Sequence, residues 1–207
     1  HRRIYLTGSP MREVLEHYHV RIAASDVLSR LSLKPQGYFI VSLHREENVD
    51  HAARLRSLRD TLNSLAQDHD MPVLVSTHPR MENRLAALGV RFEPQVRLLK
   101  PLGFHDYVHL QQHARAVLSD SGTISEESSI LNFPALNIRE VHERPEAMEE
   151  ASVMLTGLNP ERVMQGLAIL AVQPRGEKRL LSPVADYMVP HVSGKVVRLI
   201  LSYTDYV

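Results

Sequence analysis

Apolar residues along this chain fall into short continuous runs separated by stretches of helical spacing. Runs rich in Val, Ile and Leu occupy residues 4–6 (IYL), 38–43 (YFIVSL), 73–76 (VLVS), 96–99 (VRLL), 116–119 (AVLS), 134–138 (PALNI) and 152–155 (SVML). They predict strands buried on both faces. The clearest helical stretch is 50–67, where Leu55, Leu58, Leu62 and Leu65 recur on one face. Further helices are predicted near 10–18, 20–32, 80–88, 105–114, 123–131, 160–171 and 193–206. Gly89 and Pro94 punctuate the middle, and Asn159-Pro160 opens a late helix. This alternation predicts an α/β fold: a parallel sheet with helices on both faces and a ligand beyond the carboxyl ends of the strands. No repeat, low-complexity tract or long linker intervenes. Residues 1–207 read as one domain, with 1–34 as approach helices, 35–190 as the sheet core and 191–207 as a terminal helix.

Composition narrows the function more than the fold. Hydrophobic residues make up 43% and charged residues 23%, ordinary for a soluble globular protein. Lys+Arg and Asp+Glu both number 24, so the balance gives no support for nucleic-acid binding. No apolar run approaches the roughly 18 residues needed to span a membrane, and no secretory leader pattern is present. With Cys 0, disulfides and thiolate zinc sites are excluded and a cytoplasmic setting is expected. The chain opens His1-Arg2-Arg3 without Met, as a piece of a longer protein could.

Polar and chargeable groups gather at the predicted strand ends. They are His44-Arg45-Glu46-Glu47-Asn48, Thr77-His78-Pro79-Arg80, Lys100-Pro101-Leu102-Gly103, Asp120-Ser121-Gly122-Thr123, and Arg139 with His142-Glu143-Arg144-Pro145. In the stretch SDSGTISEES at 119–128, Thr123 and Glu126 have the spacing of a capping box, which assigns Glu126 to closing its own helix. Glu127 lies about 100° further round and is free to accept hydrogen bonds from vicinal hydroxyls such as those of a ribose. Gly122 permits close backbone approach, and Ser121 with the free amides at the helix start can hold a phosphate. The stretch is neither a Walker loop nor GxGxxG.

His44 beside Arg45 forms a cationic pair suited to a diphosphate, ahead of a helix that Asn48 or Asp50 can cap. Arg139 and Arg144 can add forked phosphate contacts. The plainer alternative is ion pairing with Glu140, Glu143 or Glu146. His105, His109 and His113 recur every four residues and share one helix face. No carboxylate accompanies them to complete a metal site, and a packed or partly exposed stripe accounts for them. Met11, Met148 and Met154 read as packing residues.

The blocks HREEN at 44–48, HPR at 78–80, KPLGF at 100–104, SDSGTISEES at 119–128 and HERPEAMEEASVMLTG at 142–157 resemble the non-hydrolysing UDP-N-acetylglucosamine 2-epimerases. The similarity runs from LTGSP at 6–10 to the last helix. It implies a Rossmann-like UDP-binding domain, one half of the two-domain architecture of GT-B glycosyltransferases. Family members are about twice this long. The chain matches the carboxyl-terminal half, and the amino-terminal half, which supplies an aspartate and two glutamates for acid-base work, has no counterpart in it.

By that resemblance Ser121, Gly122 and Thr123 would meet the diphosphate and Glu127 the ribose. Arg45, Arg144 and His44 would contact phosphate or sugar, with His44 the catalytic candidate of this half. Pro101, Leu102 and Gly103 would meet uracil through their backbone, with Tyr107 beside the base. His78 matches a cleft histidine that serves a regulatory nucleotide-sugar site in some members. The family's usual HRREN reads HREEN here and its DSGG reads Asp120-Ser121-Gly122-Thr123. With NIREVHERPE, these departures look like the branch that converts UDP-2-acetamido-2,6-dideoxy-L-talose to UDP-N-acetyl-L-fucosamine for capsule or O-antigen. The implied chemistry is elimination of UDP and re-addition, with no NAD, metal or other cofactor, in a homodimer. A GT-B glycosyltransferase half and a non-catalytic UDP-binding module are the competing readings.

Overall fold

A computed structural model of the chain describes residues 4–43, 52–77, 85, 88–141 and 143–205. Among them, β1 (Phe39–Ser42), β2 (Val73–Ser76), β3 (Val96–Leu99), β4 (Ala116–Ser119), β5 (Ala135–Asn137) and β6 (Met154–Leu155) form one sheet. Its order is β3-β2-β1-β4-β5-β6 and every neighbouring pair is parallel. The expected parallel α/β fold is therefore the observed one. Every residue of β1, β2 and β4 is buried, because helices cover both faces. β3 is an edge strand and carries exposed Arg97 and Leu98, so the expectation of full burial fails there for want of a neighbour.

Strand periodicity divides the core into two layers. Phe39, Val41, Val73, Val75 and Leu118 face α3 (Ala52–His69) and α7 (Pro160–Leu170), whose Leu55, Leu58, Leu62, Leu65, Val163 and Leu167 fill one layer. Tyr38, Ile40, Leu74, Val117 and Ala135 face the other way, toward Leu110 of α4 (Phe104–His113) and Ile124 of α5 (Thr123–Leu131). The Asn159 side chain caps α7 by accepting from Arg162 N at 3.1 Å, with Pro160 in the first turn.

Gly166 lets α7 sit close on the sheet. A Cβ there would lie 2.9 Å from Leu136 Cδ2 and 3.4 Å from Thr156 Cγ2. Gly166→Val is expected to destabilise the fold by about 1–3 kcal/mol through overpacking. Urea denaturation checks this, and an unchanged midpoint would contradict the packing.

Three expectations are corrected. Residues 4–6 form no strand: Ile4 and Leu6 are 76% and 84% exposed, and three apolar residues without a strand partner cannot complete a ladder. The predicted helices 10–18 and 20–32 are instead α1 (Met11–Ala23) and the single turn α2 (Val27–Arg30). Nothing in Tyr18-His19-Val20 breaks a helix. The break falls at Ser25, whose Oγ accepts from Val27 N at 3.3 Å and donates to Asp106 at 2.6 Å. The short helix α6 (Pro145–Glu149) was not expected. The helix predicted at 80–88 lies almost wholly outside the described residues.

The histidine stripe of α4 packs toward α1. His109 Nδ1 donates to Ile22 O at 2.8 Å, and His113 Nδ1 donates to His109 O at 2.8 Å. The rings of His109 and His113 stack at 4.3 Å, and His105 lies 4.9 Å from Tyr18. The chain ends in α8 (Val192–Tyr203), of which only Val192 is buried.

Candidate functional site

Strand order reverses at β1, which has β2 on one side and β4 on the other. In an open parallel sheet the loops leaving such a point diverge and open a crevice at the carboxyl ends. The loop after β4 is Asp120-Ser121-Gly122, and Asp120 N still donates to Ser42 O of β1 at 3.2 Å. The turn singled out in the sequence therefore stands at the switch point. Pro101-Leu102-Gly103 follows β3 on the same edge, with Gly103 at the start of α4. Arg144, at the start of α6, follows β5. His44, Arg45 and His78 follow β1 and β2 in sequence and lie outside the described residues.

The start of α5 is closed differently from expectation. Thr123 is already inside the helix and no side chain caps Gly122. Ser121 takes the role: its Oγ accepts from Thr123 N at 3.3 Å and lies 2.9 Å from Thr123 Oγ1. Glu126 makes no capping box, because Arg144 Nη1 sits 3.3 Å from its Oε1. A nearby cation is a stronger partner for a carboxylate than an amide one turn back. The Arg144 guanidinium also lies beside the turn, since a Cβ on Gly122 would lie 3.9 Å from Arg144 Nε. Arg139 is tied instead to Glu143, with Nη1 3.0 Å from Oε2. It is the ion-paired alternative that holds at that position.

Glu127 is buried against Gln111 of α4. Its Oε2 accepts from Gln111 Nε2 at 2.6 Å. Glu127 is 8% exposed, and burial pushes its carboxyl up to about 7 against the pull of Gln111 and Thr123. Burial likewise raises the Tyr107 phenol, with Ser42 and Gln111 opposing. A carboxylate held on one oxygen by an amide keeps acceptor capacity on the other.

Gln111 went unread in the sequence, although its signal was available: a polar residue four places after Tyr107 on a helix flanked by Val108 and Leu110. Tyr187 had no local signal. It lies 60 residues beyond Glu127, and only the fold brings the two near one site.

A parallel six-stranded sheet flanked by helices, with a glycine turn and an arginine at its switch point, defines a Rossmann-like α/β protein of the kind found in GT-B architectures. The chain belongs to the UDP-N-acetylglucosamine 2-epimerase family, whose model matches residues 1–201. It is 30% identical over 173 residues to the UDP-N-acetylglucosamine 2-epimerase of Methanocaldococcus jannaschii, covering 82% of this chain and 45% of that protein. The structure of a UDP-N-acetylglucosamine 2-epimerase from Rickettsia bellii superimposes with a TM-score of 0.85 at 42% identity, over 97% of this chain and 53% of that one. The M. jannaschii enzyme in complex with UDP-GlcNAc and UDP gives a TM-score of 0.83 at 25% identity, over 97% and 55%. The chain thus spans about half the length of the relatives it matches.

Proposed function

We propose that this chain is the UDP-binding half of a nucleotide-sugar 2-epimerase. The observation that carries the reading is the meeting of Arg144, the Gly122 turn and the start of α5 at the switch point, one helical turn from Glu127. The diphosphate would lie on Ser121, Gly122 and Thr123 beside Arg144, at the positive end of the α5 dipole. The ribose would meet Glu127. The turn Pro101-Leu102-Gly103 would meet the uracil, with Tyr107 beside it. His44 and Arg45 would complete the cation set near the sugar, His44 as the catalytic group of this half, and His78 would serve a cleft or regulatory position.

The chemistry proposed is elimination and re-addition. A base takes the C2 proton while the C1–O bond breaks and UDP leaves, giving a 2-acetamidoglycal. UDP then returns to C1 as C2 is protonated on the other face. Negative charge builds on the departing diphosphate, and the cations of this half stabilise it. The base and acid would come from an amino-terminal domain of the same protein, brought in by closure. Motifs HREEN, SDSGT and NIREVHERPE favour a 6-deoxy substrate, with UDP-N-acetyl-L-fucosamine as product for capsule or O-antigen. The names of the matched relatives favour UDP-N-acetylglucosamine as the second reading.

Calorimetry of the chain with UDP tests the nucleotide assignment: saturable binding is expected, and a folded chain that takes no UDP overturns it. For the whole protein in heavy water, turnover is expected to place deuterium at C2. Turnover without exchange would rule out the elimination.

A further inference from the structure

The segment following α7 returns along α5 and is fastened to it. Asn132, at the end of α5 with φ 52°, donates from Nδ2 to Gly176 O at 2.9 Å and Lys178 O at 2.7 Å. Arg179 donates to Ser129 O and Ile130 O, each at 2.7 Å. Val184 N donates to Ser129 Oγ at 2.9 Å. The two Arg179 bonds satisfy free carbonyls at the carboxyl end of α5, and the set directs the segment into a short turn at Ala185–Tyr187. There the Tyr187 side chain is only 1% exposed, packed with Ala147, Val184 and Ile130. Its hydroxyl donates to Glu146 Oε1 at 2.9 Å.

That same Glu146 oxygen is 3.8 Å from Arg144 Nη1, and Glu126 Oε1 is 3.3 Å from the same nitrogen. One guanidinium nitrogen thus meets two carboxylates from different helices, beside Gly122. Such a cluster is negative in sum, a poor way to attract an anion. Its value is positional: an arginine loses much rotamer freedom on binding, and a side chain already held loses less. Glu146 can brace Arg144 only if it is itself fixed, and the Tyr187 hydroxyl fixes it.

We propose that Tyr187 is a positioning residue for diphosphate binding, acting through Glu146 to hold Arg144 beside the Gly122 turn. The inference rests on the reading of the α5 start as a diphosphate site. Tyr187→Phe is the informative variant, because it keeps the buried ring and changes no charge. Affinities for UDP and for uridine, which lacks phosphate, are measured side by side on the 207-residue chain. In Tyr187→Phe, UDP binding is expected to weaken about three- to tenfold, the scale of one hydrogen bond, while uridine binding is unchanged. In an Arg144→Ala background the same change is expected to add nothing. Equal losses for UDP and uridine, an unchanged UDP affinity, or an undiminished loss in the Arg144→Ala background would each overturn the proposal, whatever happens to the melting temperature. A wild-type chain that binds uridine as tightly as UDP would remove the diphosphate site itself, a separate failure visible before any variant is made.

Discussion

Replacing Glu127 by alanine is expected to lower the affinity of the chain for UDP at least about 100-fold. A carboxylate accepting from two ribose hydroxyls makes charge-assisted hydrogen bonds worth about 1.5–3 kcal/mol each, and tenfold in affinity is about 1.4 kcal/mol. The carboxylate is aimed before ligand arrives, because Gln111 holds Oε2 at 2.6 Å. The effect should therefore fall on dissociation of the nucleoside part, and uridine should lose as much as UDP. Calorimetry at pH 8 measures it, with circular dichroism confirming the fold. A loss smaller than about fivefold would remove Glu127 from the ribose contact.

The second large effect concerns stability. Glu127 titrates at about 7 in the folded chain, against an ordinary value of 4.5, because burial disfavours its charged form. Between those two values the folded chain keeps a proton that the unfolded chain has lost. The contribution of Glu127 to stability is then greatest below pH 4.5, declines as pH rises toward 7, and is level above it. The full difference is at most about 3 kcal/mol. Glu127→Gln removes the titration while keeping the shape. It is expected to be more stable than the wild type at pH 8 by up to about 3 kcal/mol, with the advantage shrinking to nothing near pH 4.5. Urea denaturation at intervals across that range checks the sign. Parallel curves for the two proteins would contradict the burial of an ionisable Glu127. Together the two results describe a site that gives up stability for an oriented charge, a common pattern for binding residues.

Much of the architecture was legible along the chain. Strands buried on both faces read as short apolar runs, and six of the seven expected runs became strands because each had parallel neighbours to pair with. Residues 4–6 have the composition of a strand and no such partner. The loops at the carboxyl edge were legible as clusters of polar residues after apolar runs, since those loops must face solvent or ligand whatever the loop sequence. What could not be read was partner choice. The spacing of Thr123 and Glu126 describes a local bond, and a local rule holds only while nothing stronger is near. Arg144, 18 positions away, is nearer in space and takes Glu126.

The sequence alone determined the layer order of this protein, the two faces of its core and the edge of the sheet on which chemistry collects. Those follow from periodicity and burial, which act over a few residues. Tertiary structure alone decided which carboxylate meets which cation. It turned Glu126 toward Arg144 and Glu127 toward Gln111. It also carried Tyr187 back across α5 to Glu146. Ion pairs and buried hydrogen bonds depend on distances of a few ångströms between segments remote in sequence, and only the packed sheet and its helices set those distances.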